Sequence, residues 1–203
     1  MPLRSLPHCA KQYAESWSRG ERPIFEALAG TDRGCRLEAL QHGAGYFRIA
    51  RNFKIAFDVG QGLERLAPVL DLLEPFRTSA LTGRALCDTI DELRSQLAAG
   101  YGGGDRLSAA TKLLWLLRRD PVIIYDSQAR RALGAPNGDY AKYVELWRSG
   151  YRKHKDAIRG ACAALSGAGR GNADVDRETA QEWFRQRVYD IYLWNAGARR
   201  STS

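Results

Sequence analysis

The chain has 203 residues, 44% hydrophobic and 27% charged, the balance of a globular protein rather than a disordered one. Its 31 Lys/Arg against 23 Asp/Glu give a net charge of +8. Its four cysteines (Cys9, Cys35, Cys87, Cys162) and three histidines (His8, His42, His154) show no CxxC, HxH or HExxH spacing. No metal site, and no metal or other cofactor, is expected from that pattern, and the cysteines read as reduced.

In chain order, the N-terminal MPLRSLPHCAKQY has no apolar leader core, and no run approaches a membrane span. A soluble, cytoplasmic protein that does not enter a membrane is expected. The stretch 46–59 mixes aromatic and β-branched residues and fits a short strand pair or a helix. Helix is favoured because nothing else in the chain offers a sheet. Leu63, Leu66, Leu70 and Leu73 mark a helix that Pro68 and Pro75 limit. Leu86, Ile90, Leu93 and Leu97 mark another, ended by Gly100 and the glycines at 102–104. Tyr101 and those glycines form a connector or a loop approaching a partner.

A helix then begins with Ser108 as its expected cap, with Leu107, Ala110, Leu114 and Leu117 as its buried stripe. Lys112 lies off that stripe, one turn in. Pro121 stops the helix. Val122, Ile123, Ile124 and Tyr125 form an apolar return that must be buried. Asp126 caps the next helix, 127–133, which Gly134 closes. Tyr140, Tyr143, Val144 and Trp147 make a further stripe. After a flexible glycine-rich loop at 166–174 and a cap at Asp174 or Asp176, Phe184, Val188, Ile191 and Trp194 make the last. The expected fold class is all-α.

Charge is uneven. Residues 128–203 carry 14 Lys/Arg and 8 Asp/Glu, so +6, and the longer remainder carries +2. A basic excess gathered in one part of a chain suggests a polyanionic partner, usually nucleic acid. Arg148, Arg152, Lys153, Lys155 and Arg159 face only Asp156 over twelve residues and are candidate phosphate contacts. Arg130 and Arg131, directly after Asp126, are further candidates. Trp183, Phe184 and Trp194 are candidates for stacking on a base, with core packing as the alternative. His154, among basic residues, reads as a surface residue.

The order of 107-LSAATK-112 and 121-PVIIYDSQARRAL-133 resembles the helix-hairpin-helix DNA glycosylase superfamily, most of all the small bacterial proteins with an 8-oxoguanine DNA glycosylase-like fold. There a hairpin of the form L-P-G-V-G-x-K supplies a catalytic lysine, and a later V-D-[TV]-H-[VIM] supplies a catalytic aspartate. Lys112 and Asp126 fall on those two positions, 14 residues apart, which is shorter than the family's usual spacing. Ser108 and Ala110 stand where the hairpin glycines belong, and Gln128 stands where the histidine does. The resemblance covers about residues 100–135, and more loosely the basic C-terminal helices over 138–203. It implies a single helical domain over 1–203, two-lobed around a basic cleft and favoured as a monomer. It also implies excision of a damaged or modified base from double-stranded DNA, with Lys112 as Schiff-base nucleophile and Asp126 as its electrostatic partner. Such chemistry calls for no metal. Two other classes remain open. One is a non-catalytic nucleic-acid-binding protein of the same fold, in a phage-defence or DNA-modification system. The other is a helical protein–protein adaptor.

Overall fold

A computed structural model describes residues 4–53, 59–79, 81–166 and 173–199. Among them the regular structure is helical, with no strand. The chain divides into two compact units. One, here the terminal unit, contains residues 1–17 and 125–203; the other, the central unit, contains residues 18–124.

In the terminal unit, α1 (Leu6–Ser16) starts where the Ser5 hydroxyl accepts the His8 amide at 3.4 Å and Pro7 occupies the first turn. It packs on α8 (Tyr140–Ser166) and α10 (Glu182–Arg199), and α10 packs on α7 (Ser127–Leu133). The short α9 (Ala173–Thr179) lies against α8. Asp139 caps α8 by accepting the Lys142 amide at 2.8 Å. The expected stripe Tyr140, Tyr143, Val144 and Trp147 is buried. In α10, Phe184 and Val188 are buried, whereas Ile191 is half-buried and Trp194 is 43% exposed. The expected cap at Asp174 or Asp176 is corrected: both lie inside α9, a separate helix that ends before α10 begins. The expected loop at 166–174 falls partly outside the described residues, which resume at Ala173.

The central unit contains α2 (Arg22–Ala29), α3 (Arg33–Tyr46), α4 (Val59–Leu73), α5 (Gly83–Gly100) and α6 (Leu107–Leu117). Asp32 caps α3 through the Cys35 amide at 2.7 Å. α6 packs against α2, α3, α4 and α5, so it is buried nearly all round. Leu86, Ile90, Leu93 and Leu97 face the core as expected. Of the α4 stripe, Leu66, Leu70 and Leu73 are fully buried and Leu63 is half-buried.

Three boundaries differ from expectation. Pro68 sits inside α4 rather than limiting it. It and Glu64, whose carbonyl it cannot engage, are both exposed, so water can satisfy the lost bond. Ser108 lies in the first turn of α6 and is not its cap. The Asp105 carboxylate accepts the Leu107 amide at 2.9 Å instead. And α6 ends at Leu117, before Pro121. Arg118 turns extended there, and its guanidinium donates to the carbonyls of Arg77 (3.3 Å) and Ser79 (2.8 Å). In the ambiguous stretch, Tyr46 ends α3 and 50–53 form a 3-10 turn; 54–58 lie outside the described residues.

Candidate nucleic-acid interface and lysine–aspartate pair

The connection between the packed helices α5 and α6 is a tight hairpin. Gly102, Gly103 and Gly104 have φ of +86°, +78° and +81°, a region that L side chains rarely adopt. Added β-carbons at Gly103 and Gly104 would meet open space, so backbone conformation rather than crowding demands glycine there. The Gly103 amide donates to the Ala98 carbonyl at 2.8 Å. Asp105 pairs with Arg94 at 3.0 Å while capping α6. Arg106 donates to the Tyr101 carbonyl (3.0 Å) and to Asn52 Oδ1 (3.1 Å). Tyr101 is buried, donates its hydroxyl to the Arg65 carbonyl at 2.5 Å, and sets its ring edge-on to Phe53. Tyr101 is therefore an anchor of the connector, and the exposed part of the loop is the three glycines and Asp105.

Lys112 lies in the second turn of α6, half-buried, between the buried Thr111 and Leu113. It belongs to the central unit. Asp126 belongs to the terminal unit, since the division falls between Ile124 and Tyr125. Val122 to Tyr125 are all buried, as the apolar return requires. Asp126 caps α7 through the Gln128 amide at 2.8 Å, and Gly134 closes that helix at φ +66°. Beside it, Tyr125 accepts the Gly138 amide at 3.0 Å and packs its ring edge-on to Tyr143. The fully buried Tyr143 phenol is pushed well above its ordinary value, first by burial and then by the negative charges of Asp190 and Asp126. Asp190 is itself buried, accepting the Trp147 indole N–H at 2.6 Å. Asp126 thus caps α7 at the edge of a buried aromatic and carboxylate cluster that sequence reading missed.

Arg130 and Arg131 are half-buried, and Arg130 donates to the Ala135 carbonyl at 2.9 Å. On α8, Arg148, Arg152, Lys153 and Arg159 are exposed and Lys155 is half-exposed. Lys155 pairs loosely with Glu182 (3.5 Å) and Arg159 with Asp156 (3.7 Å). Arg148, Arg152 and Lys153 have no ion-pair partner among the described residues. Phe184 is wholly buried against Tyr13, and Trp183 is half-buried against Trp17, with ring centres 4.6 and 4.7 Å apart. Of the three aromatic candidates, Trp194 alone is substantially exposed. His154 is half-buried, with Nδ1 2.9 Å from the Gly150 carbonyl and its ring against Tyr189 and Tyr192.

Among the described residues no group of three His, Cys, Asp or Glu side chains is placed to hold a metal ion, and no helix is long and apolar enough to cross a membrane. Compared with family models, curated proteins and solved structures, the chain matches none.

Proposed function

We propose that this protein binds duplex DNA and removes a modified base by Schiff-base chemistry, with Lys112 as nucleophile and Asp126 as its electrostatic partner. The observation that carries the reading is the α5–glycine hairpin–α6 arrangement, which puts Lys112 on the second helix of a pinned hairpin, followed by the buried return to Asp126. In this chemistry the neutral lysine amine attacks the anomeric carbon. The glycosidic bond breaks, and the base leaves with the bonding pair and takes up a proton. The amine nitrogen gives up a proton as the sugar ring opens to the protonated imine. Loss of a proton from the adjacent carbon then expels the 3′ phosphate. The carboxylate stabilises the positive charge that develops on the sugar.

The test is borohydride trapping on duplexes carrying 8-oxoguanine, uracil or an abasic site. A covalent protein–DNA band is expected, and it should vanish in Lys112→Ala. Asp126→Asn separates capping from electrostatics, because asparagine caps a helix about as well as aspartate. It should keep the melting temperature and lose on the order of a hundredfold in base release. Absence of a band on every duplex would end the proposal.

A second reading, DNA binding without catalysis, is favoured by Ser108 and Ala110 at the family's glycine positions and by Gln128 at its histidine. Salt-sensitive duplex binding with no trapped band would be its signature.

A further inference from the structure

We propose that the exposed face of α8 carrying Arg148, Arg152, Lys155 and Arg159 is a docking strip for the phosphate backbone of duplex DNA and reads no base; Lys153 lies roughly 130° away around the helix and is outside the strip. This rests on the DNA-binding half of the reading above and not on the lysine chemistry.

Geometry comes first. The four residues recur at +4, +3 and +4, so at about 100° per residue they lie within roughly 60° of one another around the helix. At about 1.5 Å per residue they form a row about 16 Å long. Duplex DNA carries one charge per about 1.7 Å of axis, so a row of that length lies against roughly ten phosphate charges. The apolar face of α8, with Tyr143, Trp147 and Ile158, is already buried in the terminal unit. The cation row is thus a fixed edge on a packed helix. That unit carries 16 Lys/Arg against 10 Asp/Glu, and the central unit 15 against 13, so the background field around the row is positive as well.

The neighbours of the row decide among occupants. The other exposed residues along the second half of α8 are Asp156, Ala157, Gly160, Ala163 and Ala164, none of them large and apolar. Tyr46 and Trp194 are the exposed large hydrophobic residues among those described, and neither is on α8. A single strand would need aromatic platforms for its bases, and a protein partner would need apolar or aromatic anchors. An anionic membrane would need a free apolar face on the helix, and that face is buried. A duplex backbone needs only charge on a rigid, uncluttered edge.

The test is fluorescence anisotropy of the full chain on a plain duplex of about 20 base pairs, over about 50 to about 300 mM KCl. The variant is Arg148→Gln/Arg152→Gln, which leaves the Lys142–Glu145, Lys155–Glu182 and Arg159–Asp156 ion pairs of α8 intact and uses a residue of similar helix propensity. Each lost phosphate contact should flatten the log–log salt dependence by about 0.9, roughly 1.8 in all, with far-UV circular dichroism and melting unchanged. Two duplexes of different sequence should bind about equally, and a single strand of equal length more weakly. An unchanged slope in the variant overturns the strip, as does absence of duplex binding by the unmodified protein. Displacement of the duplex by polyglutamate at equal charge also overturns it, since that points to an acidic protein. Borohydride trapping reads the lysine separately: a missing covalent band with the variant's flattened slope removes the lyase reading and leaves the strip.

Discussion

The two units are built from different material. The terminal unit buries Tyr13, Tyr125, Tyr140, Tyr143, Trp147, Tyr151, Phe184 and Tyr189, with rings meeting edge-on, tilted or stacked. The central unit buries Leu66, Leu70, Leu73, Leu86, Leu93, Leu97, Leu107, Leu113, Leu114 and Leu116, with few aromatic residues among them. Leucines fill volume and ask for nothing else. Tyrosine and tryptophan bring polar tips that must be satisfied in the interior. The terminal unit should therefore be vulnerable to lost partners, close-packing errors and alkali, and the central unit mainly to lost volume.

The largest expected effect is at the crossing of α7 and α10. A β-carbon on Gly197 would lie 1.8 Å from the Gln128 carbonyl oxygen and 2.5 Å from its carbon. Those are backbone atoms that cannot rotate away, so the two helices would have to separate. Gly197→Ala should cost about 4 kcal/mol, read as a lower urea midpoint, or prevent folding. An unchanged midpoint would mean that the crossing is looser than its geometry indicates.

Next comes a matched pair of substitutions. Asp190→Ala leaves the buried Trp147 indole N–H without its 2.6 Å acceptor, and about 3 kcal/mol is expected. Asp190→Asn retains an acceptor oxygen and should recover most of that. In the central unit Leu114→Ala should cost about the same through a cavity, whereas Leu114→Met, which keeps the volume, should cost under about 1.5 kcal/mol. If Asp190→Asn were as damaging as Asp190→Ala, the charge of Asp190 rather than its hydrogen bond would be what matters.

The aromatic unit should also fail first at high pH. Burial pushes the Cys162 thiol up to about 11, against the lowering effect of Arg185. Burial, then Tyr192 and Asp190, push the Tyr189 phenol up to about 12. Both folded values are raised, so the fold favours the neutral forms. That stability is complete below the unfolded values near pH 9 and 10, and is lost as pH climbs toward 11 and 12. By pH 10.5 the loss should be about 3 kcal/mol, seen as a falling urea midpoint. Cys162→Ala should remove the part that begins near pH 9. A flat midpoint from pH 8 to 10.5 would show these groups reaching water in the native state.

How much of this could be read from the sequence follows the range of the interaction. The Leu86, Ile90, Leu93 and Leu97 stripe, the Asp126 and Gly134 caps, and the spacing of Arg148, Arg152, Lys155 and Arg159 are all local patterns, and each was legible. The anchors of the α5–α6 hairpin are not local: Tyr101 reaches the Arg65 carbonyl and Arg106 reaches Asn52. Nor could spacing show that Asp126 sits beside a buried Tyr143 near Asp190, because α7, α8 and α10 meet only after folding. Pro68 and Ser108 misled for a different reason. A proline on an exposed flank is tolerated inside a helix, and Asp105, three residues ahead of Ser108, took the capping role.

The smallest expected effect compares two helix ends, one in each unit. α7 closes on Gly134 at φ +66°, the left-handed conformation that glycine adopts freely. α3 closes through Arg48 at φ +56°, whose amide donates to the Gly45 carbonyl at 2.9 Å while the Ile49 amide reaches Ala44 at 2.8 Å. The backbone solution is similar, but an exposed arginine bears the strain of a positive φ in the second case. Arg48→Gly should therefore raise stability by about 0.5–1 kcal/mol, even after the extra freedom that glycine gives the unfolded chain, and lift the melting temperature by a few degrees. Gly134→Arg should lower it by a similar amount, since open space surrounds its β-carbon position and strain is the main cost. A fall in stability for Arg48→Gly would show that the arginine side chain contributes more than its backbone strain takes away. That outcome would make this end of α3 the place to look for a second cationic contact.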